Sequence, residues 1–127
     1  MGKRVHDDVL DGLLEVIKNN CTQISICKNT PTTYGHATTP GTHMLAIKSD
    51  LDSDNFTITA GDISGRKLVI DTFVDVAILA SGDATHICLM DVDDRLLYVT
   101  TCALKELVVS NLITIPTWKI EIAAPTA

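Results

Sequence analysis

The stretch 81–102 constrains the fold more than any other, because two arms with a period of two flank an Asp-rich segment at 91–95. In the first arm Ile87 and Leu89 fall on one face and His86, Cys88 and Met90 on the other. In the second, Leu97 and Val99 alternate with Leu96, Tyr98 and Thr100. A pleated strand imposes that period, so the stretch reads as a β-hairpin. Both faces carry apolar side chains, which predicts a central hairpin covered by other strands, with its acidic turn in water at one end of a sheet.

The rest of the chain extends this reading. A length of 127 residues suits one domain, and 46% hydrophobic content with only one Trp, two Tyr and two Phe predicts a core of Val, Ile and Leu. Abundant Thr adds to a β-branched bias that favours strands. Residues 8–20 are the exception: Val9, Leu10, Leu13, Leu14, Val16 and Ile17 recur at spacings of three and four and form one helical stripe, with Glu15 and Lys18 on the wet side. Gly12 inside it predicts close approach by another backbone. The stripe can cover this chain's own sheet or pack on copies around a symmetry axis.

After the helix, 22–27 alternates with Ile24 and Ile26 inward and Gln23 and Ser25 outward. Residues 28–42 hold two Pro, two Gly and six Thr, which predicts a long ordered loop bearing Tyr34 and serving as a contact surface. Further strands follow at 44–48, at Phe56, Ile58 and Ala60, at 66–71, and at Val74, Val76, Ile78 and Ala80. After the hairpin, 103–109 reads as a strand, 112–115 as a short one, and Trp118, Ile120 and Ile122 close the chain. The expected fold is mostly β, an antiparallel β-sandwich or barrel of about eight strands behind one N-terminal amphipathic helix. It occupies 1–127 as a single domain, helix at about 8–20 and β domain at about 22–124.

Function classes fall away in turn. A net charge of −6, with no Lys/Arg run longer than a pair, argues against nucleic acid as a partner. No apolar run reaches the roughly 18 residues that cross a bilayer, and Met1 to Asp8 lacks an apolar segment behind its basic residues, so no membrane is implied and synthesis in the cytoplasm is expected. Asp50, Asp52 and Asp54 start like a calcium loop, but Asn55 and Gly61 stand where that loop needs Gly and Glu. Cys21, Cys27, Cys88 and Cys102 lack zinc spacing and read as free thiols, a Cys88–Cys102 bridge across the hairpin being left open. His86 sits two residues from Cys88 on one face and reads as a packed core histidine. With no nucleophile–base pair, carboxylate pair or metal cluster, the expectation is a non-enzymatic protein without cofactor or metal.

One likeness narrows the field. Gly61-Asp-Ile-Ser-Gly-Arg-Lys67, Ala80-Ser-Gly-Asp-Ala-Thr-His86, Leu96-Leu-Tyr-Val-Thr-Thr-Cys102 and Pro116-Thr-Trp-Lys-Ile-Glu-Ile122 together resemble the small virion proteins of tailed bacteriophages. The resemblance runs from Asp7 to Ala124. It implies a bacteriophage virion component, made in the host cytoplasm and present in many symmetric copies: a capsid decoration protein first, a neck or tail-fibre module second. The expected partners are itself, as a homo-oligomer and most simply a trimer, and other virion proteins such as capsid or tail components. The expected interface residues are Val9, Leu10, Leu13, Val16, Ile17 and Tyr34. A carbohydrate-binding β-sandwich is the rival, with Tyr34 and Trp118 the aromatics free to serve it.

Overall fold

The computed structural model describes residues 7–62, 65–91 and 95–122, excepting the side chains of residues 7–10 and 13. Helix α1 (Asp7–Asn20) turns part of its apolar stripe inward: Leu14 and Ile17, three apart, are buried in the main core, while Val16 is exposed. The helix lies on strands β3 (Phe56–Ala60) and β4 (Arg66–Ile70). Polar contacts fix its angle. Arg66 Nε donates to Asp11 Oδ1 at 2.6 Å, and Lys18, expected on the wet side, donates its ammonium to the carbonyls of Ser53 and Phe56 at 2.8 and 3.0 Å. Gly12 is not a close-approach glycine, since a Cβ there meets nothing within 4 Å.

The chain passes from α1 without a loop into β1 (Cys21–Cys27). It continues through α2 (Tyr34–Thr38), β2 (Met44–Lys48), β3, β4, β5 (Phe73–Ala77), β6 (Gly82–Asp91), β7 (Leu96–Leu107), β8 (Leu112–Ile115) and β9 (Trp118–Ile122). The fold is mostly β, with nine strands among the described residues and antiparallel pairing within each sheet. A four-stranded sheet runs β2-β1-β6-β7, a three-stranded sheet runs β3-β4-β9, and β5 pairs with β8. The β5-β8 ribbon is tied to β2 by an Ala46–Ile78 bridge and by the Leu45 carbonyl, which accepts from the Leu79 and Ala80 N–H groups at 2.7 and 3.2 Å.

Between the layers Ile24, Leu45, Phe56, Leu68, Ile70 and Leu89 form one cluster with Leu14 and Ile17. On the far side of the four-stranded sheet a smaller cluster joins Cys27, Ala37, Met44, Cys88 and Met90. The interior strands β1 and β6 are therefore apolar on both faces, as the hairpin's pattern required. Ser25, expected outward, is fully buried for this reason: its side chain belongs to the second face, where its hydroxyl meets Met90 Sδ at 3.7 Å. The 28–42 segment is not a plain loop either. Thr33 Oγ1 accepts from the His36 N–H and starts α2, which places Ala37 in the second cluster with Tyr34 packed on it.

The hairpin is only half central, because β6 lies inside the sheet while β7 forms its edge. Nor is its whole turn in water. Asp91 is buried, and its carboxylate accepts from the Arg95 backbone at 3.1 Å and from its guanidinium at 2.5 Å. The expected strand at 103–109 is real to Leu107 as the continuation of β7; Val108 and Val109 then enter a turn in which Ser110 has φ 77°. In β5 the expected inward Val74 faces out and Phe73 faces in, since an irregularity at Asp75, with φ 56°, changes the alternation.

Two outcomes follow from this packing. Gly12→Ala should stabilise the fold by about 0.5–1 kcal/mol, since the methyl group has room and the helix loses its most flexible residue; thermal denaturation reads it. Asp91→Ala should destabilise by about 1–3 kcal/mol through loss of charge-assisted bonds to a backbone N–H and a guanidinium, read by urea unfolding.

Candidate functional site

His86 and Cys88 lie on the same strand but do not form a reactive pair. His86 is half-buried: its Nε2 is 3.1 Å from Thr30 Oγ1 and its Nδ1 2.8 Å from Thr85 Oγ1, so the imidazole fastens the 28–42 segment to β6. Its expected place in the core is taken by Cys88, fully buried with its Sγ 3.7 Å from that of Cys27. Cys88 stands opposite Val99 in the β6–β7 ladder and all four cysteines are free, so no Cys88–Cys102 bridge exists. The Cys88 thiol is pushed up by its hydrogen bond with Cys27 and by burial, while the same hydrogen bond lowers Cys27; Cys21 is pushed up to about 11 chiefly by burial, and burial also raises Cys102. Thiols held in the protonated form are poor nucleophiles. No group of three or more His, Cys, Asp or Glu is placed to hold a metal among the described residues; Asp52 of the acidic turn accepts from the Asp54 N–H and caps the short helical turn Ser53–Asn55.

The expected interface residues are dispersed. Ile17 is buried in the chain's own core, Val16 is exposed, and the side chains of Val9, Leu10 and Leu13 lie outside the described residues. Tyr34 is half-buried beside a polar cleft of about 410 Å³ formed with Gln23, Ser49 and Asp50, and its hydroxyl donates to Gln23 Oε1 at 2.8 Å. Trp118 packs against Tyr98, with ring centroids 6.2 Å apart.

A different set comes together at the end of the molecule where β7 turns into β8. Leu104 is 69% exposed and Leu112 61%, and the exposed Val108, Val109 and Leu79 join them. Local hydrogen bonds hold the 108–111 turn against the 78–81 segment: Ile78 N–H donates to the Asn111 carbonyl and Ser110 N–H to the Ile78 carbonyl, both at 3.1 Å, while Val109 N–H donates to Ser81 Oγ at 2.9 Å. Sequence reasoning read Val108 and Val109 as strand interior and passed over the patch. The available signal was an apolar run ending directly on Ser110-Asn111, a turn that leaves its neighbours in water.

Comparisons with protein-family models, with curated proteins and with solved structures find no match to this chain.

One titration belongs to the 28–43 segment that carries Tyr34. The His43 ring stacks on His36 with centroids 4.0 Å apart, and its pKa lies below the ordinary histidine value because of desolvation, His36 and Lys28. A histidine kept neutral in the fold contributes stability that is present above its unfolded value of about 6.5 and lost as pH falls through the lower folded value. Hydrogen exchange across 28–43, corrected for intrinsic rates, should show protection falling between about pH 7.5 and 5.5, and His43→Gln should flatten that dependence.

Proposed function

We propose that this chain is a non-enzymatic assembly protein: a structural component of a tailed-phage virion, most simply a capsid decoration protein, that binds other virion proteins as a symmetric oligomer. The observation that carries the reading is the exposed apolar patch of Leu104, Val108, Val109, Leu112 and Leu79 on a chain of net charge −6. Large apolar side chains left in water on neighbouring strands and their turn suit a surface that another protein covers. The likeness at 61–67, 80–86, 96–102 and 116–122 to small virion proteins suggests the particle, and the mostly β framework suits a part held in many copies.

The test is the purified particle. The chain should be present there in a copy number that is a multiple of its symmetry, and Leu104→Ser with Leu112→Ser should lower its incorporation at least tenfold. The isolated variant should keep its stability within about 0.5 kcal/mol, as exposed positions do. Full incorporation of the double variant, or absence of the chain from particles, refutes the reading.

A further inference from the structure

Strands β7 and β8 follow one another across the turn at 108–111, yet they share no ladder: among the described residues β7 pairs with β6 and β8 with β5. Because β5 is tied to β2, the run β8-β5-β2-β1-β6-β7 curls until its two ends approach each other. Between them lies a slot of about 430 Å³. Its floor is Ile26, Ala84 and Ile87, which belong to or pack against the main core; its banks are Ala103 of β7 and Ile113 and Ile115 of β8. A bulge keeps the banks apart. Ala84 pairs with Lys105 and His86 with Thr101, so Cys102, Ala103 and Leu104 stand opposite Thr85 alone, and surplus residues of this kind bend a strand.

Three independent features meet at this seam. Each bank presents a strand edge without a β partner among the described residues, the space between them is apolar and open to the core, and Leu104 and Leu112 stand exposed on the two strands that form it. A small apolar molecule would fill the slot and leave the ladder edges and both leucines in water. An extended polypeptide answers all three, since its backbone hydrogen-bonds to a free edge while alternate side chains enter the gap. Lys105 also lines the slot and has no ion pair among the described residues, so a carboxylate suits the adjoining position of the guest. We propose that the slot between β7 and β8 receives an extended segment of a partner polypeptide, apolar at alternate positions and acidic where it passes Lys105. This deepens the assembly reading and rests on it, naming how the partner docks.

Cys102 reports on the slot, because it lines it and is half-buried whereas Cys21, Cys27 and Cys88 are buried. The probe is a blocked octapeptide alternating valine with threonine, one threonine replaced by aspartate. At a peptide concentration about ten times Kd, alkylation of Cys102 by iodoacetamide should slow about tenfold, and amides of β7 and β8 should gain protection from exchange. Ala103→Trp, which fills the slot from an exposed position, should abolish both effects with its melting temperature retained, and Lys105→Glu should raise Kd at least fivefold. Four results overturn the proposal: alkylation unchanged at every peptide concentration; equal protection in Ala103→Trp; equal protection by a peptide with proline at the threonine positions, which would mean apolar filling without strand pairing; or Cys102 becoming protected with protein concentration alone, which would mean that a second copy fills the slot. The two readings fail separately. Loss of peptide binding with the Leu104/Leu112 variant still excluded from particles removes the slot alone, whereas peptide binding with that variant fully incorporated removes the assembly reading alone.

Discussion

Strands β1 and β6 are buried on both faces, and the layout of the other elements answers that demand. Ile24, Ile26 and Leu89 need an apolar layer on one side, which α1 and the β3-β4-β9 sheet supply. Cys27, Cys88 and Met90 need one on the other, and a single turn of helix, α2, supplies it with Ala37 and Tyr34. The second cover is much thinner than the first. It works because the residues beneath it are compact and soft: thiols and thioethers tolerate irregular packing and weak polar contacts, and Ser25 can sit among them with Cys27 and Met90 as its neighbours.

The thin cover is also where the polar fastenings collect. Thr85 donates to the Lys28 carbonyl at 2.9 Å, His86 meets Thr30, Tyr34 reaches Gln23, and Lys28 N–H donates to the His43 carbonyl at 2.8 Å. A segment short of apolar side chains is thus ordered by hydrogen bonds to the sheet it shields, which offset the backbone entropy lost in fixing it. The stacked His36 and His43 belong to the same cover.

The opposite end of the molecule shows the converse. There the sheet runs out of strands before it closes, β7 and β8 diverge at a bulge, and the side chains that would sit beneath another strand remain exposed. Edges of this kind are usually short or guarded by charge or proline. Among residues 96–107 of β7 the only charges are Lys105 and Glu106, and there is no proline. The proposed assembly role would use that unguarded region.

The period of two at 81–102 and at 22–27, and the three-four spacing at 8–20, determined the mostly β class, the single N-terminal helix and most strand positions, because side-chain alternation follows directly from backbone geometry. Local pattern also showed that β6 would be apolar on both sides. It could not show which hairpin arm would be the edge, since strand order depends on partners distant in the chain: β1 claims one side of β6, and among the described residues no strand claims the far side of β7. Ser25 read as outward because serine beside isoleucine looks like a wet face, and Lys18 as solvated because its sequence neighbours are polar; α2 and the turn at 53–55 reversed both. The patch at Leu104, Val108, Val109 and Leu112 was invisible for the same reason. Whether an apolar side chain is core or surface is settled by what stands opposite it, and at the β7–β8 seam only the tertiary structure reveals that no described residue does.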